Sequence, residues 1–276
     1  MYLRLYEVGP RDGLQVLNTK IPLDKRKKLI SMLIDANLTH IEVGSCVSPK
    51  ILPMRDSEHL SILTDANCSM LVLNEKGYSR AVKGGYENIN INISLDDEFN
   101  RKNLGKGFDE VLLMYLRMLE NHNRDNVRAY ISHSFDEKFF DEDFLQLVEY
   151  LSTVAKTIVL CDTNGDAENE SILRRIGMLP KNKFNLALHL HKGKGNYMEK
   201  VNLAYALDVR EFDTSITNFG GCVNSDYPTA NISTTEMLSW AKEKKIPMEV
   251  IDEEKLFLAQ DYANLLAETC SSTLLA

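Results

Sequence analysis

The chain has 276 residues, with 32 basic against 40 acidic side chains and a formal charge of −8. Hydrophobic residues at 44 % and charged residues at 26 % exclude a disordered chain. No apolar run approaches the ~20 residues of a membrane-spanning helix, so no membrane is expected as a partner. An acidic balance without a basic arm argues against nucleic acid. Five dispersed cysteines (Cys46, Cys68, Cys161, Cys222, Cys270) with no CxxC pair argue against a disulfide framework or a structural zinc site. With no signal-peptide pattern at the start, a cytoplasmic protein is expected.

Short apolar runs bounded by Gly, Pro, Asn or Asp predict strands at 2–8, 39–44, 69–73, 88–93, 127–132, 157–161, 185–191 and 211–214. Amphipathic segments between and after them predict helices at 24–36, 108–121, 141–156, 238–245 and 253–268. Strands and helices alternating at roughly 30-residue intervals imply parallel βαβ units, and about eight fit the length. The expected fold is an α/β (β/α)8 TIM barrel, with a doubly wound open sheet as the alternative. Residues 1–276 are read as one barrel domain in which about 250–276 form a helical extension.

In a barrel, chemistry gathers where strands end and the following loops begin. The first strand runs into Gly9-Pro10-Arg11-Asp12-Gly13, where an adjacent Arg and Asp follow a tight turn. In the second strand Glu42 alternates with Ile41 and Val43 and so faces away from them, toward the barrel mouth or into a salt bridge with an arginine such as Arg11. The sixth strand ends in Cys161-Asp162-Thr163. The seventh carries His189-Leu190-His191, which puts two imidazoles on one face, the geometry of two ligands to one metal. Cys222 sits beside two glycines on a loop, and Asn231 is placed as a helix N-cap or as an oxygen ligand. Asp12, His189, His191 and Asn231 together offer two nitrogens and two oxygens. Without thiolates, that set suits Mg²⁺ or Mn²⁺, with Zn²⁺ also admissible.

The segments Glu7-Val8-Gly9-Pro10-Arg11-Asp12-Gly13-Leu14-Gln15 and Ile41-Glu42-Val43-Gly44-Ser45-Cys46-Val47-Ser48-Pro49-Lys50 resemble those of 3-hydroxy-3-methylglutaryl-CoA lyases, within the metal-dependent barrel lyases, synthases and aldolases. Cys161-Asp162-Thr163, His189-Leu190-His191, Gly220-Gly221-Cys222 and Asn231 follow in the family's order. The resemblance implies that Asp12, His189, His191 and Asn231 hold the divalent cation and that Arg11 stabilises enolate charge. It implies that Asp162, with Glu42 near it, serves proton transfer or orientation, and that Cys222 is the loop thiol of the acid/base steps. The implied activity is carbon–carbon cleavage of a 3-hydroxyacyl-CoA to acetyl-CoA and a keto acid. The Gly-Gly-Cys loop is a lyase feature that the condensing synthases lack.

Departures from the pattern also stand in the chain. Lys192 follows the second histidine where the lyases carry aspartate, and Thr235 stands where they carry glutamate, with Glu236 one position late. These departures leave open an oxo-acid aldolase, a condensing synthase or a non-catalytic metal-binding barrel. The expected partner is a small acyl-CoA or oxo-acid, and a homodimer is compatible with the chain. The anionic thioester would be met by a local cluster of Arg11, Lys50 and Lys192 against the field of an acidic protein.

Overall fold

A computed structural model describes residues 2–17, 19–60, 66–193, 196–217 and 230–272. All eight apolar runs become strands: β1 (Arg4–Glu7), β2 (His40–Ser45), β3 (Asn67–Leu71), β4 (Asn88–Ser94), β5 (Val127–Ser132), β6 (Thr157–Asp162), β7 (Asn185–Lys192) and β8 (Glu211–Thr214). Each pairs in parallel with the next, and β1 also pairs with β8, so the sheet closes on itself. The molecule is therefore a TIM barrel, and the open-sheet alternative is excluded. A two-residue strand, β9 (Ala230–Asn231), runs antiparallel to the end of β7 and sets Asn231 opposite His191.

The helices are α1 (Leu23–Asp35), α2 (Glu75–Lys83), α3 (Asp97–Leu104), α4 (Phe108–Leu119), α5 (Asp141–Val154), α6 (Asn169–Gly177), α7 (Tyr197–Ala206), α8 (Thr234–Glu243) and α9 (Glu253–Ser272). Those with long apolar stripes (α1, α4, α5 and α9) begin within a residue of the expected positions. Helices α2, α3, α6 and α7 span only 8 to 10 residues, too short for a periodic pattern to stand out. Helix α8 starts four residues earlier than its apolar pattern does, because Ser233 caps it and accepts the Glu236 amide at 3.4 Å. The N-cap role considered for Asn231 thus falls to Ser233.

Alternation along each strand sorts side chains between two environments. On β5, Val127, Ala129 and Ile131 join the hydrophobic layer between sheet and helices, whereas Arg128, Tyr130 and Ser132 do not. The inward side is polar. The Arg128 guanidinium lies 3.8 Å over the Tyr6 ring and pairs with Glu211 and Asp213. The Tyr6 hydroxyl is 2.5 Å from Ser69 Oγ, and Asn90 Nδ2 donates to Glu42 at 2.7 Å. This hydrogen-bonded plug supports the floor of the site. Outside the barrel, α9 packs on α1, where the Lys28 ammonium sits 4.5 Å over the Tyr262 ring. Among the described residues, no helix is long and apolar enough to cross a membrane.

Candidate active site

The site begins at the end of β1. Residues Gly9–Gly13 form a π-helical turn, in which the amides of Arg11 and Asp12 both donate to the Val8 carbonyl, at 3.0 and 2.7 Å. Such irregular turns recur where a backbone must aim side chains rather than continue a helix. Glu7 anchors this turn from beneath. Its carboxylate accepts the Gly9 amide (2.7 Å), the Ile216 amide (2.9 Å) and the Thr234 hydroxyl (2.5 Å), tying the β1 loop to the ends of β8 and α8. Burial pushes Glu7 up to about 7, against the pull of these donors. Sequence reasoning gave Glu7 no role of its own; a carboxylate inside a strand was the available signal.

Arg11 is 7 % exposed and forks between two carboxylates, with Nε on Glu42 and Nη1 on Asp12. The salt bridge considered for Glu42 is therefore present. Burial works to raise Asp12, but Arg11 and the two histidines overcome it and hold the carboxyl at about 2. Arg11 Nη2 makes no hydrogen bond among the described residues.

His189 and His191 both face Asp12. Their Nε2 atoms lie 3.1 Å apart, and His189 Nε2 is 3.9 Å from Asp12 Oδ2. The Nδ1 atoms point away to acceptors: His189 to Asp213 Oδ2 at 3.0 Å and His191 to the Thr163 carbonyl at 2.7 Å. With Nδ1 turned to those acceptors the two Nε2 atoms face each other, so a proton or a cation must lie between them. Burial works to lower His189, but Asp213 and Asp12 raise it, which favours the proton when no cation is bound. Burial and the neighbouring His189 lower His191 to about 4, which keeps it neutral. Asn231 donates from Nδ2 to Asp12 Oδ2 at 2.7 Å, while its Oδ1 is buried without a hydrogen-bond partner among the described residues. One ligand atom from each of Asp12, His189 and His191 lies within 4.8 Å of the others. With the orphaned Asn231 oxygen, this set fits a divalent cation and could hold one.

One residue that sequence reasoning missed supports His189. Asp213 on β8 divides its oxygens between His189 and Arg128; burial would raise it, but Arg128 and His189 hold it below the usual carboxylate range. Its signal was faint, the second of two alternating acids in the four-residue run Glu211–Thr214.

Asp162 is placed differently from the other candidates. It stands in register with Leu190, an outward residue of β7, whereas Cys161 is beside His189 on the inward face. Its oxygens go to Lys200 Nζ on α7 (2.7 Å) and to the Ala167 amide (3.1 Å). Lys200, also missed, is 5 % exposed and donates as well to the Gly165 carbonyl at 2.9 Å. Here the β6 and β7 loops touch backbone to backbone. A Cβ on Gly193 would lie 2.2 Å from the Gly165 oxygen, and Gly165 has φ +71°. Next to this contact a cavity of about 310 Å³ runs from Cys161 past His133 to Asp136, Glu137, Asp166 and Glu168. Its acidic wall disfavours a nucleotide tail on that side. Cys222 lies outside the described residues.

The HMGL-like family profile matches residues 2–252. The chain belongs to this family. It is 28 % identical over 250 residues to the hydroxymethylglutaryl-CoA lyase of Pseudomonas mevalonii, which spans 86 % of this chain and 83 % of that protein. It is 25 % identical over 287 residues to the (R)-citramalyl-CoA lyase of Chloroflexus aurantiacus, covering 94 % and 89 %. A solved HMG-CoA lyase from Acinetobacter baumannii, in complex with coenzyme A and 3-methylmalate, superposes with a TM-score of 0.87 at 27 % identity, over 97 % of this chain and 92 % of that one.

As an HMGL-like protein the chain departs from the lyase pattern at Lys192 and Glu236, and the two departures meet. Lys192 Nζ pairs with the Glu236 carboxylate and lies 5.1 Å over the Tyr197 ring. A cation after the second histidine is thus matched by the shifted glutamate, on the strand face opposite His191. Of the cations expected to meet the thioester, Lys192 is thus paired with Glu236 and Arg11 with Glu42 and Asp12.

Proposed function

We propose that the protein is a divalent-metal-dependent carbon–carbon lyase that cleaves a 3-hydroxyacyl-CoA, of the hydroxymethylglutaryl-CoA type, to acetyl-CoA and a keto acid. The observation that carries this reading is the facing pair of Nε2 atoms on His189 and His191, beside Asp12 and the unpartnered Asn231 oxygen. A cation held there, Mg²⁺ or Mn²⁺ by the donor set, lowers the pKa of a coordinated hydroxyl and fixes the substrate.

The chain's own residues account for the remaining requirements. Cleavage releases an enolate whose negative charge gathers on the thioester oxygen. Arg11, held by Asp12 and Glu42 with Nη2 left over, presents a preorganised positive charge where that oxygen develops. Asp213 and the Thr163 carbonyl accept at the two Nδ1 atoms, which turns both Nε2 atoms toward Asp12 and the proposed cation. Asp162 orients rather than transfers protons: with Lys200 it staples the β6 loop to α7. The proton steps fall to Cys222, on the family resemblance. In this reading Asp12, Arg11, Glu42, His189, His191 and Asn231 form the site of a single barrel domain, residues 1–276, with α9 as its helical extension on α1.

The test is direct assay of the purified, Mn²⁺-supplied chain with hydroxymethylglutaryl-CoA and with citramalyl-CoA, following free acetyl-CoA. Acetyl-CoA released from either thioester supports the lyase. Stabilisation by pyruvate-like acids, with no response to any acyl-CoA, would favour the oxo-acid aldolase instead.

A further inference from the structure

Strand β2 loses its regular alternation just before it reaches the mouth. Against β3 the register runs Ile41↔Cys68 and Glu42↔Ser69, then slips to Gly44↔Met70 and Ser45↔Leu71, leaving Val43 as the extra residue. A bulge of this kind re-aims the side chains that follow it. Without the slip, Ser45 would share the outward face of Ile41 and Val43. With it, Ser45 shares the inward face of Glu42 and Ser69.

Both flanks bear this out. Gly44 is turned outward onto α1, where a Cβ would lie 2.7 Å from Arg26 Nη2 and 2.8 Å from Ser57 Oγ. Leu71, the register partner of Ser45, is buried yet outside the main hydrophobic cluster that contains Met70 and Val72. Ser45 therefore stands in the barrel interior, nearer the mouth than Glu42, on the strand toward which the Arg11 guanidinium leans. It is 1 % exposed, and its hydroxyl has no hydrogen-bond partner among the described residues. A buried unsatisfied hydroxyl is a cost to the fold, which an alanine in the same place would not carry.

Resting on the lyase reading above, we propose that Ser45 is a catalytic residue whose hydroxyl donates a hydrogen bond to the thioester oxygen of the acyl-CoA, beside Arg11 Nη2. Two donors, one charged and one neutral, then meet the oxygen on which enolate charge develops. The bulge serves to bring the second donor into place.

Ser45→Ala and Ser45→Thr are compared with the parent in the full chain loaded with Mn²⁺. Removing an unsatisfied hydroxyl leaves urea stability and Mn²⁺ affinity equal or improved in Ser45→Ala, whereas its kcat on hydroxymethylglutaryl-CoA falls about 10²-fold and Ser45→Thr recovers part of the loss. Equal kcat in parent and Ser45→Ala overturns the proposal, as does a loss that tracks lost folding or lost metal. A parent chain inactive on the thioester defeats the lyase reading, and calorimetry with acetyl-CoA then decides Ser45 by itself. About tenfold weaker binding to Ser45→Ala supports the contact; equal binding, or none to the parent, overturns it.

Discussion

Asp213 Oδ2 accepts the Nδ1 proton of His189 at 3.0 Å, and the other Asp213 oxygen is held by Arg128. The orientation of a candidate metal ligand is thereby set from inside the barrel, by a residue outside the candidate ligand set. Asp213→Asn keeps the shape but presents a neutral amide whose nitrogen can meet His189 donor to donor. Mn²⁺ affinity, measured by calorimetry, is expected to fall ~10–100-fold with the fold intact. Unchanged affinity would show that His189 does not depend on this partner.

Arg11 carries both charge and geometry. Arg11→Lys keeps the charge but cannot fork between Glu42 and Asp12 while also presenting a third nitrogen. Its kcat/KM on the acyl-CoA is expected to drop at least ~10²-fold. Arg11→Met goes further, leaving Glu42 in particular fully buried and without its cation, so urea stability should fall as well, by ~3–5 kcal/mol.

Lys200 and Asp162 should be coupled in stability rather than in chemistry. Lys200→Met strands a carboxylate that is 3 % exposed, and a loss of ~3–5 kcal/mol is expected in urea denaturation. In Lys200→Met with Asp162→Asn that charge is gone, so the double variant should be more stable than Lys200→Met alone. Strict additivity of the two single changes would contradict the pairing.

Glu7 gives stability a pH dependence of defined sign. Its folded value, raised to about 7 from 4.5, means that the folded chain holds a proton which the unfolded chain has already released. The contribution is fully present below pH 4.5 and is lost as pH rises through 7, by about 3 kcal/mol. Glu7→Gln cannot titrate, so its urea stability relative to the parent should improve steadily from pH 4.5 to 8. A constant difference across that range would show that Glu7 is not raised.

The strands, the barrel and most of the metal set were legible because they rest on local signals. Eight apolar runs, a His-x-His on one strand and an Arg-Asp after a Gly-Pro turn each lie within ten residues. Asp213, Lys200 and Ser45 were not legible. Asp213 gains meaning only when β8 closes beside β7, and Lys200 only when α7 is folded back over the β6 loop. Ser45 lay within a quoted motif, but strict alternation points it outward, and the bulge that turns it inward is a property of β2 pairing with β3. The Lys192–Glu236 match was likewise hidden, because two departures that looked separate along the chain meet across β7 and α8.

The central claim is that Asp12, His189, His191 and Asn231 hold a cation on which cleavage depends. Acetyl-CoA release from hydroxymethylglutaryl-CoA should be measured on chain stripped with a chelator and again after Mg²⁺ or Mn²⁺ is restored. Activity lost on stripping and regained with the ion is the predicted result, and full activity in the stripped protein would contradict it.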